Sequence, residues 1–379
     1  MWHVAFSSKN VTPARPRRDS RANREHAPFR VYARLVTAGQ ERGEATVSAI
    51  VVNYRRPGLT LACVRSLGAA LAEVDGGSEL IVIDNGSGDG SAERLERDGG
   101  VDVMELPENI GFAAAMRVGL ERSRGRWILM LNNDATIEPR GVAELLEIGE
   151  RDPATGSVAA QMRFAQAPDT INSAGIVVDR LGIGSERLLG EPLHAGEREP
   201  TEVFGAHGCA ALHRREMLIA VGGFDPSFFF GLDDVDLAWR ARMSGWRTFY
   251  APRAVVYHEN AGTAAHLSDF KFFWVGRARV RILAKNAERR HLLRCAPAIV
   301  GYDLAYIAYV AVRDRSWAPL RGRLRGLREW RAYRQAGASL RRPVELAPAR
   351  GLRAALTRRA TWLSLSLGGR RAGSAGAPS

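Results

Sequence analysis

The strongest constraint on the fold is one pattern repeated three times: a short unbroken apolar run that stops at Asn or Asp. VSAIVV (47–52) runs into Asn53 and Tyr54, ELIVID (79–84) into Asn85, and RWILML (126–131) into Asn132, Asn133 and Asp134. Runs this short and β-branched, with no polar alternation, predict strands covered on both faces. Helical patterns separate them, over Leu59–Ala72, around Ala92–Asp98 and within 107–125. Strand alternating with helix predicts an α/β domain built on a mostly parallel, doubly wound sheet flanked by helices. Right-handed crossovers then bring the C-terminal strand ends to one edge. Ligands of open α/β sheets bind beyond that edge, so the polar residues gathered there predict a nucleotide-type ligand.

Charge separates the chain into three parts. The net charge of +13 divides into +5 for residues 1–46, −11 for 47–270 and +19 for 271–379. An acidic body therefore lies between basic ends. A composition of 46% hydrophobic and 25% charged residues excludes a wholly disordered or fibrous protein. Residues 1–45, rich in Arg, Pro, Ser and Ala, are expected to be a disordered basic extension. Three scattered cysteines, Cys63, Cys209 and Cys295, without a CxxC spacing, argue against a disulfide framework or a zinc site. No apolar run reaches 18 residues and no secretory-type apolar block opens the chain, so a cytoplasmic location is expected.

Four constellations carry chemistry. The turn NGSGDGS (85–91) follows the second strand, whereas a dinucleotide fingerprint needs its glycines directly after the first. It reads equally as a plain turn or as a nucleoside contact. Asp134, just after a buried strand, can coordinate Mg²⁺ or Mn²⁺, or merely form a turn. In GGFDPSFFFGLDDVDLAWRARMSGWR (222–247), Asp233, Asp234 and Asp236 open a helical stretch, where acids serve as dipole partners or as a general base. His258 is either structural or, if Asp134 lies near, part of a metal shell.

Taken in order, VSAIVVNY, LIVIDNGSGDGS, PENIGFAAA, ILMLNNDATIEP, the 222–247 segment and VVYHENAG resemble the motifs of family 2 glycosyltransferases of the GT-A fold. The resemblance is closest to the bacterial rhamnosyltransferase-like group that acts on cell-surface polysaccharides. It implies a GT-A domain over 46–265. By position, Tyr54 and Asp84 resemble the residues that hold base and ribose. Asn132-Asn133-Asp134 stands at the metal-binding DxD element, with Asn133 toward the donor and Asp134 as metal ligand. His258 matches the histidine near metal and diphosphate. Asp234 matches the base, with Asp233 in place of the usual Glu, while Asp233, Asp236 and Trp239 are expected to contact the acceptor or support the base. The resemblance implies an inverting transfer, aided by Mg²⁺ or Mn²⁺, from a nucleotide-diphosphate sugar to a polysaccharide or lipid-linked glycan. dTDP-rhamnose is the first expectation for the donor and a UDP-sugar the alternative. Rivals are a nucleotidyltransferase, which NYRRPG matches poorly, and a degenerate glycan-binding scaffold.

Residues 266–379 are expected to form a helical basic region. PAIVGYDLAYIAYVAV (297–312) is nearly all apolar, and Arg289, Arg290, Arg294, Arg313, Arg315 and Arg321 flank it. Trp317 and Trp330 suit a water–lipid boundary. The combination predicts peripheral attachment to an anionic cytoplasmic leaflet, against the alternative of a solvated helical appendage. No aromatic–basic module for nucleic acid is present.

Overall fold

The computed structural model describes residues 45–260 and 268–373. The expected disordered extension therefore lies outside the described residues, apart from Ala45. The first half is the anticipated alternation: β1 (Val47–Asn53), α1 (Pro57–Leu71), β2 (Ser78–Asp84), α2 (Ser91–Gly99), β3 (Val103–Glu105), α3 (Phe112–Arg122) and β4 (Trp127–Leu131). Every residue of β1 and β4 is buried. Alternation explains why both faces must be apolar: Ile50, Val52, Ile128 and Met130 enter one core, while Val47, Ala49, Val51, Trp127, Leu129 and Leu131 enter the other.

The second half adds β5 (Ala135–Ile137), α4 (Gly141–Glu150), β6 (Thr155–Phe164), β7 (Ala167–Ser173), β8 (Ile176–Val178), β9 (Gly184–Glu186), β10 (Thr201–Val203), β11 (Ala210–Arg214), α5 (Arg215–Val221), α6 (Asp233–Met243) and β12 (Arg247–His258). The sheet runs β10-β12-β6-β11-β4-β1-β2-β3, with β5 added to β12 and β7 to β6. Pairing is parallel from β4 through β1 and β2 to β3, as expected. It becomes mixed where β11 inserts antiparallel between β4 and β6. A strand–helix reading could not foresee that insertion, because the partner of β4 comes from about eighty residues downstream.

Five helices follow: α7 (Asp269–Asn286), α8 (Arg289–Arg313), α9 (Ala318–Arg328), α10 (Trp330–Ala336) and α11 (Gly351–Gly373). They are built into the body rather than appended to it. α7 carries four cations into the interior, where Arg277 and Arg281 pair with Glu329 at 2.8 and 2.7 Å and Arg279 pairs with Asp303 at 2.6 Å. Lys285 Nζ donates to Asp225 and Asp236 at 2.6 and 2.9 Å. α9 crosses α7 closely enough that a Cβ on Gly322 would meet the Phe273 carbonyl oxygen at 2.1 Å. Ahead of α11, Ala347 N donates to the Val178 carbonyl and Arg180 N to the Ala347 carbonyl, fastening the segment to β8.

The apolar run at 297–312 is part of a longer helix than its own length implied. α8 has 25 residues, long enough at 1.5 Å per residue to cross a membrane. It nonetheless packs on the body by one side, through Ile299, Ile307, Val310 and Asp303, while Leu293, Val300, Leu304 and Val312 are 55–84% exposed.

Candidate active site

One open cleft of about 870 Å³ runs along the C-terminal edge of β1, β2 and β4, within the size range of small-molecule sites. Tyr54, Asn133, Asp134, Asp233, Asp234 and His258 all line it. Residues far apart in sequence are thus brought together, each for a traceable reason.

The nucleotide-side end is shaped by turns. Asn53, the last residue of β1, donates from Nδ2 to Asp84 Oδ1 at 2.6 Å and accepts from Thr60 Oγ1 at 2.7 Å. Asp84 also accepts from Ser87 N and Ser87 Oγ, at 2.9 and 2.6 Å. This closes the turn after β2, whose Gly86 has φ 69° and leaves no room for a Cβ against Glu108. Asn85 in turn accepts from Ile110 N at 3.1 Å and donates to Asn109 Oδ1 at 3.2 Å. Asn85 and Asn109 both reach the cleft, as does Gly111, whose φ of 87° and tight approach to Phe229 exclude a side chain.

Asp134 and His258 meet because β5 pairs with β12, setting His258 opposite Ala135. The Asp134 Oδ1 to His258 Nε2 distance is 3.3 Å. His258 Nδ1 lies 3.0 Å from Asn172 Oδ1, a contact that orients the ring and directs Nε2 toward Asp134. Burial disfavours the charged imidazole, but Cys209 and Asp134 outweigh it and hold its pKa well above the ordinary histidine range. The pair is therefore a place that favours a cation. An oxygen and a nitrogen donor facing one cleft also suit Mg²⁺ or Mn²⁺, whose shell substrate phosphates and water would complete.

The acidic helix start supplies the third component. Leu232 adopts φ 63° and α6 begins at Asp233. Asp234 Oδ2 accepts from Gly208 N at 2.9 Å and its Oδ1 from Val235 N at 2.8 Å, which fixes the carboxylate at the cleft wall. Asp233 is 8% exposed and its Oδ2 has no hydrogen-bond partner. Burial first, then the charges of Asp234 and Asp236, push its pKa up to about 7.

Three expected residues do not line the cleft. Asp84, 1% exposed, is consumed by the β1–β2 turn network, and Asn85 beside it reaches the cavity instead. Asp236 is fully buried, bound by Arg240 Nε at 2.8 Å, Lys285 and Asn286. Trp239 is a core residue packed edge-on against Phe204. Of the two expectations, acceptor contact or support, the supporting one fits both, because interior cations take up Asp236 and core packing takes up Trp239.

Other lining residues carried no motif. Phe229 and Phe230 join Phe270 and Trp274 in an aromatic cluster, with Phe229 stacked on Trp274 at 4.7 Å. Phe270, Lys271 and Val275 of α7 and Trp362 of α11 close the far end, so the C-terminal region is part of the cleft wall. The aromatic density of DFKFFW (269–274) was the available signal.

Comparison with known proteins places this geometry. The family model described as glycosyl transferase family 2 matches residues 48–222. An uncharacterized protein, y4gI, of Sinorhizobium fredii is 30% identical over 206 residues, covering 50% of this chain but only 22% of that relative. The N-acetylglucosaminyl-diphospho-decaprenol L-rhamnosyltransferase of Mycobacterium tuberculosis is 27% identical over 288 residues, covering 69% of this chain and 85% of the relative. Among solved structures, GalNAc-T7 with UDP, GalNAc and Mn²⁺ superposes with a TM-score of 0.51 at 16% identity, over 78% of this chain and 55% of that one. That likeness concerns the fold, which is the GT-A arrangement of a mixed, mostly parallel sheet between helices.

Proposed function

We propose, from the match of residues 48–222 to the glycosyl transferase family 2 model, that the chain transfers a sugar from a nucleotide diphosphate to a glycan hydroxyl with inversion. The observation that carries the reading is the convergence in one cleft of Tyr54 and Asn133, the Asp134–His258 pair and the Asp233–Asp234 pair. The rhamnosyltransferase relative supports dTDP-rhamnose as first donor and a lipid-linked glycan as acceptor, with a UDP-sugar as the alternative donor.

In this reading Tyr54, Asn85 and Asn109 bound the nucleoside end, and Asn133 and Asp134 face the diphosphate. Asp134 and His258 would hold Mg²⁺ or Mn²⁺, which when bound neutralises charge developing on the leaving diphosphate. Asp234, held by two backbone amides, takes the proton of the acceptor hydroxyl as the new bond forms. A single displacement needs one carboxylate, unlike the two-carboxylate pairs of glycoside hydrolysis. One observation favours a second reading. Asp233 has the free oxygen and a pKa pushed up to about 7, the range suited to a general base, whereas both oxygens of Asp234 already accept from backbone amides.

The exposed apolar face of α8, with its arginine-rich flanks, supports peripheral attachment to an anionic membrane on the cytoplasmic side, and so a division into a catalytic region (46–265) and a membrane-associated one (266–379). Release of nucleoside diphosphate from dTDP-rhamnose and UDP-sugars, with Mg²⁺, Mn²⁺ or chelator, tests the activity. Absence of turnover and of thermal stabilisation by every nucleotide sugar would reject it in favour of a non-catalytic scaffold.

A further inference from the structure

A second cavity of about 290 Å³ adjoins the cleft and shares Gly184, Ser185, Glu186, Lys271, Val275 and Trp362 with it. It lies between β9, α7, α8 and α11, away from the nucleoside end at Tyr54 and Asn85. Its wall combines two chemistries. Lys271, Arg323, Arg358 and Arg359 supply four cations against one lining carboxylate, Glu186. Leu189, Phe272, Tyr306, Leu356 and Leu363 supply apolar surface.

The cations are positioned rather than merely numerous. Arg359 is held bidentate by Asp314 at 2.7 Å, and Arg323 by Asp303 at 2.9 Å, two acids standing behind the cavity. Arg358 has no acidic partner among the described residues. Lys271 sits where the two cavities join, its Nζ 5.8 Å from the Trp362 ring centroid. Burial lowers the pKa of Lys271 against a weaker opposing pull from Glu186.

We propose that this annex binds the phosphate-bearing linkage of a lipid-linked acceptor, with the start of its apolar chain against Leu189, Phe272, Tyr306, Leu356 and Leu363. The proposal rests on the transferase reading and adds the acceptor's anionic group to it. Charge complementarity selects a phosphate-type anion, since planar, fixed guanidiniums and a buried ammonium suit its oxygens. The apolar lining selects an acceptor with a hydrocarbon chain. The donor's diphosphate is accounted for separately, at Asp134 and His258.

The test titrates farnesyl diphosphate into the full chain by calorimetry in EDTA, with farnesol and inorganic pyrophosphate as controls. Farnesyl diphosphate is expected to bind, and both controls to bind about tenfold or more weakly. Lys271→Met and Arg358→Ala should each raise its Kd about tenfold, the size of a lost charge-assisted contact, while Asp134→Ala leaves it unchanged. Unchanged affinity in Arg358→Ala, at a half-exposed helix position that tolerates truncation, would overturn the proposal even if Lys271→Met melts early. Loss of binding in Asp134→Ala, or pyrophosphate binding as tightly as farnesyl diphosphate, would also overturn it. A parallel titration of dTDP and UDP with Mn²⁺ reads the donor cleft, so failure there indicts the transferase reading and not the annex.

Discussion

The two walls of the cleft use charge in opposite ways. Along the sheet edge and the start of α6, Asp134, Asp233 and Asp234 turn carboxylates toward the cavity, held by a histidine or by amides, with Asp233 Oδ2 left without a partner. Along the helical wall, Arg277, Arg279, Arg281 and Lys285 are buried and each is paired with an acid of the interior. A pair buried away from any cavity already has its counter-charge and offers little to a ligand; its removal instead leaves an orphaned ion. A charge facing a cavity with its partner missing is available for binding or proton transfer. Part of the +19 carried by residues 271–379 is therefore structural, welding α7 to the loop and helix that present Asp233 and Asp234.

Four substitutions would break or sharpen that contrast. The largest effect is expected at the sheet edge: Asp234→Asn should lower transfer by about 10²–10⁴-fold with donor binding kept, as measured by turnover and nucleotide titration. If Asp233→Asn proves the more damaging of the two, Asp233 is the base. On the helical wall, Lys285→Met strands Asp225, whose pKa Lys285 lowers strongly against the opposing effect of burial, and weakens the hold on Asp236. It should cost about 3–5 kcal/mol of stability by denaturant unfolding. Arg325→Ala, which removes a half-exposed i,i+4 pair with Glu329, should cost about 0.5 kcal/mol or less. Equal costs at the two sites would erase the distinction between buried and exposed cations.

An effect on metal affinity is expected behind the Asp134–His258 pair. Asn172→Ala releases the ring and should weaken Mn²⁺ affinity about 10–100-fold, by metal titration. Unaltered affinity would mean that Asn172 does not orient a ligand.

A pH-dependent effect concerns Asp233. Its raised pKa means the folded chain binds the proton more tightly than the unfolded chain. The stability this confers is full below the unfolded value near 4 and is lost as pH rises through about 7. Asp233→Asn escapes that loss. Its melting temperature relative to wild type should therefore increase from pH 5 to pH 8, by roughly a few degrees. A difference that does not vary with pH would show that the carboxyl is already ionised.

Much of the first wall was legible from local signals. Buried β-branched runs define β1, β2 and β4, and strand polarity places their polar ends along one edge. Asp84 shows the limit of that inference. Standing at a strand end identified the neighbourhood, but the side chain turned into the Asn53–Ser87 network while Asn85 took the cavity. The choice depends on hydrogen-bond competition across two strands, which no local pattern encodes. For Asp236 and Trp239 the sequence left acceptor contact and support open, and the tertiary partners Arg240, Lys285 and Asn286 on one and Phe204 on the other give them supporting places.

The sequence alone determined the alternation of strand and helix and the edge on which ligands gather, since both follow from local periodicity and chain chirality, and its motifs carried the resemblance to a family. Only the tertiary structure decided that β5 would bring Asp134 to His258, that Lys271 and Trp362 from the C-terminal helices would complete the cleft, and which cations would turn inward. Those outcomes depend on contacts between segments tens to hundreds of residues apart, where burial and pairing, rather than residue type, fix what a charge can do.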